Sequence, residues 1–156
     1  MPNEYITEAK EWLSFSESDL GVADHLNKTY HPKPLEIICF HCQQAAEKAV
    51  KAVIVLNGSQ GGIPKKHDLF LLLNQIKNMV SIDEKLYDYA DTLAPYSIAM
   101  RYPNELQLED RHAEKAIQMA KEYIAWAKPL VDSATAAEET SEKKAEETEK
   151  PAEENK

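Results

Sequence analysis

A chain of 156 residues with 43% apolar content is sized for one domain, and at that size a single core buries roughly two thirds of the unfolded surface. The net charge of −9 is uneven: Ser133 to Lys156 holds eight Glu and four Lys, which leaves −5 for the rest. So mild an acidity excludes a protein held on nucleic acid by a broad Lys/Arg face, though not one with a localised basic pocket. No apolar run approaches bilayer-spanning length, and Met1 to Lys10 lacks the blocks of a signal peptide, so the sequence predicts a soluble, cytoplasmic protein without membrane contact.

The first periodic segment runs from about Glu4 to Asn27, where Ala9, Leu13, Ser16, Leu20, Ala23 and Leu26 recur at three- and four-residue steps beside Trp12. Thr29 to Pro34 breaks it, because each proline removes a backbone donor and biases its predecessor away from the helical region. A second helix then begins near Pro34 or Leu35. Its stripe of Leu35, Ile38, Cys42, Ala45, Ala49, Ala52 and Leu56, broadened by Val53 and Ile54, predicts burial over a wide arc.

Asn57-Gly58 and Gly61-Gly62-Ile63-Pro64 supply the stop and a flexible loop. A third helix is expected from about His67-Asp68, with Leu69, Leu72, Leu73 and Ile76 inward and Asp68 favoured at the amino end. A short helix bearing Leu86, Tyr89, Ala90 and Leu93 follows, capped by Ser81 or Asp83. Ala94 to Glu105 reads as a loop, with Pro95 and Pro103 and no period.

The last helix spans about Glu109 to Leu130, with Ala113, Ala116, Ile117, Ala120, Tyr123, Ile124 and Ala127 on one face. After Val131 no apolar residue exceeds Ala in size, so the segment cannot bury enough surface to offset its chain entropy. The expected organisation is an all-α bundle over residues 1–132 and a disordered acidic tail over 133–156.

Three motifs carry a resemblance. The run Phe40-His41-Cys42-Gln43-Gln44-Ala45-Ala46-Glu47-Lys48-Ala49-Val50-Lys51-Ala52 resembles the second-helix signature of HEPN domains, the higher-eukaryote and prokaryote nucleotide-binding family. Lys66-His67-Asp68-Leu69 and Arg101-Tyr102-Pro103 extend the resemblance over most of residues 5–130. It implies a four- or five-helix up-and-down bundle, usually dimeric and often working beside a minimal nucleotidyltransferase in toxin–antitoxin pairs. Many such domains are metal-independent ribonucleases, in which an Arg precedes a His by four to six residues and a dimer joins two such pairs at one RNA-binding cleft.

Arg101 matches that arginine, but positions 105, 106 and 107 are Glu, Leu and Gln, and Arg111-His112 are adjacent. Proton transfer in RNA cleavage near neutral pH calls for a group such as His, with an unperturbed pKa of about 6.5. An arginine without that base still binds phosphate through its planar donor fork. The reading is therefore a homodimeric module that binds a nucleotide or RNA phosphate through Arg101 and Tyr102, with His67, Lys48 and Lys51 as further candidates and with no cofactor or metal. The rivals are a ribonuclease using Arg101 with Glu105, His67 or His112, and a structural dimer without ligand.

Each candidate has a plainer reading. Arg101 can pair with an acidic neighbour, and Tyr102 can pack with its hydroxyl at the surface. Lys48 and Lys51, with Gln44 and Glu47, read as a solvated or dimer-facing polar edge. His67-Asp68 reads as a helix cap. Cys39 and Cys42 share a helix face from which His41 points away, so they read as core residues and not as zinc ligands or a disulfide. The glycine loop lacks the Lys-Ser/Thr ending of a phosphate loop.

Overall fold

The computed structural model describes residues 3–58, 68–98 and 106–149. Their secondary structure is five α-helices and one 3₁₀ segment: α1 (Glu4–Thr29), α2 (Leu35–Leu56), α3 (Leu69–Ile76), α4 (Glu84–Leu93), the 3₁₀ turn Ala94–Ile98, and α5 (Asp110–Glu149). Among the described residues there is no strand, and no helix is long and apolar enough to cross a membrane. The fold is an all-α bundle.

Local chemistry sets the helix ends. Asn3 accepts from the Tyr5 amide and caps α1, Asp68 accepts from the Phe70 and Leu71 amides at α3, and Asp83, the second of the two predicted candidates, caps α4 through the Lys85 amide. Helix α2 closes on Asn57 and on Gly58, whose φ of 60° is the left-handed conformation that glycine adopts without a Cβ penalty.

Helix α2 is the centre of the molecule, packed against α1, α5, α3, α4 and the 3₁₀ turn. Its predicted wide arc is a consequence of those neighbours: Ile38, Cys42, Ala45, Ala49, Val50, Val53 and Ile54 are fully buried. On α1 the stripe is narrower, with Ile6, Ala9, Leu13, Ser16 and Ala23 buried and Leu20 and Leu26 only partly covered. Ser16 repays its burial by donating to the Ala45 carbonyl, which locks the antiparallel α1–α2 pair. Alanines at 113, 116, 120 and 127 bring α5 close to this pair. Tyr123 reaches from α5 to donate to the Leu86 carbonyl of α4.

Two expectations need correction. The segment from Ala94 is not wholly a loop: Ala94–Ile98 form a 3₁₀ turn because Tyr96 is drawn into the core, while residues 99–105 lie outside the described set. The acidic segment from Ser133 is helical as far as Glu149. Its Ala, Glu and Lys content favours helix, and growth from an already packed helix avoids the nucleation cost. Burial nonetheless stops where the composition changes, Val131 being the last buried side chain among the described residues.

Candidate functional site

Helix α2 turns a file of polar residues to one side of its apolar arc, and the antiparallel pairing lays this file along α1. Gln43, Glu47 and Lys51 recur at four-residue steps and are 0%, 2% and 7% exposed. The Lys51 ammonium lies 2.7 Å from the Glu47 carboxylate. Gln43 donates to the other Glu47 oxygen at 3.1 Å, and Gln44 donates to Gln43 at 2.7 Å. From α1, the Trp12 ring lies 5.3 Å from the Lys51 ammonium, a cation–π contact that replaces part of its lost hydration.

One turn along, Asp19 of α1 receives two groups from α2: Lys48 at 2.5 Å and His41 Nδ1 at 2.8 Å. Asp19 is 12% exposed, against about a quarter for its two partners. Lys48 also sits 5.9 Å from the Phe15 ring. The two lysines thus each hold a carboxylate and an aromatic ring, and this seam fixes the α1–α2 register as well as offering polarity.

This corrects the reading of Lys51 and Glu47 as a solvated edge: the neighbouring helix covers both, and a charge withdrawn from water persists only when paired. Sequence reasoning passed over Gln43, Asp19, His41 and Trp12 as parts of one cluster. The available signal was the short turn between two long amphipathic helices, which forces them antiparallel and sets residues near 19 beside residues near 41. Arg101, Tyr102 and His67, like Glu105, lie outside the described residues.

His112 stands at the start of α5, where its Nδ1 accepts from the Glu109 amide at 2.9 Å, so its ring serves as a cap. Arg111 pairs with Glu109 at 2.8 Å. Burial pushes the Cys39 thiol up to about 12, with Glu36 adding to the effect, and pushes Cys42 up as well, mainly by burial. These are core thiols without thiolate character at neutral pH. On α5, facing α4, Glu122 is held below the usual carboxylate range, first by the Tyr89 hydroxyl that donates to it and then by Lys85 at 3.1 Å. No group of His, Cys, Asp and Glu able to hold a metal ion occurs among the described residues.

An up-and-down bundle whose second helix is central and carries a buried Gln-Gln-x-x-Glu-x-x-x-Lys file defines the class. A HEPN domain model matches residues 9–130, and the chain belongs to the HEPN family. Over 50 residues the chain is 50% identical to a protein of Methanocaldococcus jannaschii named "Putative toxin MJ1304", a match that covers 32% of this chain and 31% of that protein's length. Among solved structures, TT1696 from Thermus thermophilus is 26% identical with a TM-score of 0.64, covering 78% of this chain and 97% of its own. ST0689, described as an archaeal HEPN homologue, shares the fold at a TM-score of 0.61 and 24% identity, covering 80% of this chain and 98% of its own.

Proposed function

We propose that this chain is a nucleotide- or RNA-phosphate-binding HEPN module that acts as a cytoplasmic homodimer in a toxin–antitoxin type system, beside a nucleotidyltransferase-type protein. The observation that carries the reading is the family match over residues 9–130, which takes in both the α2 polar file and Arg101-Tyr102. The similarity to a protein named as a toxin supports the system-level part over one third of that relative.

Charge supports a confined site. The folded part is mildly acidic, and Lys48 and Lys51 are already engaged with Asp19 and Glu47. Phosphate binding therefore falls to Arg101, with Tyr102 and His67 beside it in the proposal, while the two lysines hold the scaffold. Binding without cleavage follows from the residues after Arg101, which offer Glu105, Leu106 and Gln107 where a proton-transferring His would stand.

The test is a titration of the full chain, without added metal, against ATP and a short labelled RNA, with Arg101→Ala in parallel. Saturable binding by the wild type, lost in the variant with the RNA intact, is the expected result. A folded wild-type protein that binds neither ligand ends the reading, and RNA cleavage in the presence of a chelator replaces it with a nuclease.

A further inference from the structure

The contact between α4 and α5 leaves a hollow of about 340 Å³, lined by Asp83, Lys85 and Leu86 on one side and by Glu122, Ala125 and Trp126 on the other. That is the small end of the range for ligand sites, with room for one side chain and not for a cofactor. Leu86 is buried and gives the hollow an apolar floor. The Trp126 N–H is spent on the Ser81 carbonyl at 3.0 Å, so the ring is pinned and brings carbon surface with no free donor.

Charge gathers at the same place. Lys85 lies 3.1 Å from Glu122 and 3.8 Å from Asp83, and the Tyr89 hydroxyl also donates to Glu122. Glu122 keeps acceptor sites to spare, because an ionised carboxylate accepts about four hydrogen bonds. Two carboxylates against one ammonium leave the hollow negative. Lys85 is 45% exposed at its side chain, and exposed pairs of this kind are weak, so its ammonium gives way readily to a better-fitting cation.

We propose that this hollow receives an arginine side chain of a basic protein partner, with the guanidinium on Glu122 and against Trp126, in the place that Lys85 now holds. None of these residues belongs to the phosphate reading above, so either can fail without the other.

Arginine suits the lining better than the lysine already there. Its planar fork donates two parallel bonds to one carboxylate, it stacks on aromatic rings, and it is more weakly hydrated than an ammonium. A basic protein is the occupant and not a nucleic acid, because a negative hollow on a chain of net charge −9 repels phosphate. The bundle has another hollow that joins acids to an indole, lined by Glu8, Glu11, Trp12 and Phe15. There the ring is already taken, since Trp12 carries the Lys51 ammonium at 5.3 Å. Among the described residues no cation lies over Trp126, which leaves its face for a ligand.

The experiment follows the two indole N–H resonances of the isotope-labelled full chain, assigned with Trp126→Phe, during titration with an end-blocked peptide of one arginine among glycines. Its lysine counterpart, free L-arginine and GMP are titrated beside it. The expected result is a saturable shift of the Trp126 resonance alone, with the arginine peptide several-fold tighter than the lysine one. Lys85→Met removes the internal competitor and is expected to tighten the arginine peptide about tenfold, while Lys143→Met, an equal charge change on the α5 extension, alters it by less than about twofold. Glu122→Gln, with unchanged helicity, is expected to abolish the shift. No shift at millimolar peptide, equal movement of both indoles, equal affinity for the two peptides, or unchanged affinity in Lys85→Met overturns the proposal. Tighter binding of free L-arginine makes this an amino-acid site, and a Trp126 shift with GMP alone makes it a nucleobase site; either result overturns the protein partner.

Discussion

Lys48 and Lys51 stand three residues apart on one helix, and their surroundings give them different weights. Lys51 is 8% exposed at its side chain and Glu47 2%, so each is the other's compensation for lost water. Lys48 is a quarter exposed, and its partner Asp19 keeps His41 when Lys48 is removed. Lys51→Met is therefore expected to lower the urea-unfolding free energy by about 3 kcal/mol, because it strands a buried carboxylate. Lys48→Met is expected to cost about 1 kcal/mol or less. Equal losses in the two variants would contradict this ordering. Ser16 follows the same logic at zero exposure: its hydroxyl is tolerated in the core because the Ala45 carbonyl accepts it.

At the scale of the element, the short helices depend on their caps and the long ones on packing. Helix α3 has only eight residues, too few to form alone. Asp68 supplies partners to two of its free amides, at 3.0 and 3.3 Å, while Leu69, Leu72, Leu73 and Ile76 bury its inner face. Asp68→Ala is expected to destabilise the protein by about 1 kcal/mol in chemical denaturation, with Asp68→Asn recovering most of the loss. An unchanged midpoint for Asp68→Ala would show that burial alone holds α3. Helix α5 is the contrasting case. It passes Pro129, which offers no amide to the preceding turn, and continues for twenty residues to Glu149. Tight packing of Ala113, Ala116, Ala120 and Ala127 anchors the helix before the proline. High intrinsic propensity carries it after.

For the whole molecule, the division is between a packed bundle that ends near Val131 and an acidic helix that runs beyond it. The extension touches the bundle where Glu138 accepts the Asn3 amide at the start of α1, an exposed contact of small energetic weight. Removing residues 133–156 changes the net charge from −9 to −5 and removes no buried side chain among the described residues. The truncated chain is expected to melt within a few degrees of the full one in a thermal scan. A much larger drop would mean that the extension contributes to the core.

The sequence by itself determined the all-α class, the first four helices to within a few residues and the start of the fifth, the cap at Asp68, the choice of Ser81 or Asp83 for α4, and the inert character of Cys39 and Cys42. Each of these follows from local chemistry or from apolar spacing at the helical period, which one chain segment displays in full. It also carried the family, because the Gln-Gln-Ala-Ala-Glu-Lys run is contiguous. Only the tertiary structure decided that Glu47 and Lys51 are buried, that Asp19 holds both His41 and Lys48, and that Phe15 and Val22 stay uncovered. Those facts depend on which face of α2 meets α1 and which is left to water, and that choice is made by residues more than twenty positions apart, where periodicity within one helix carries no information.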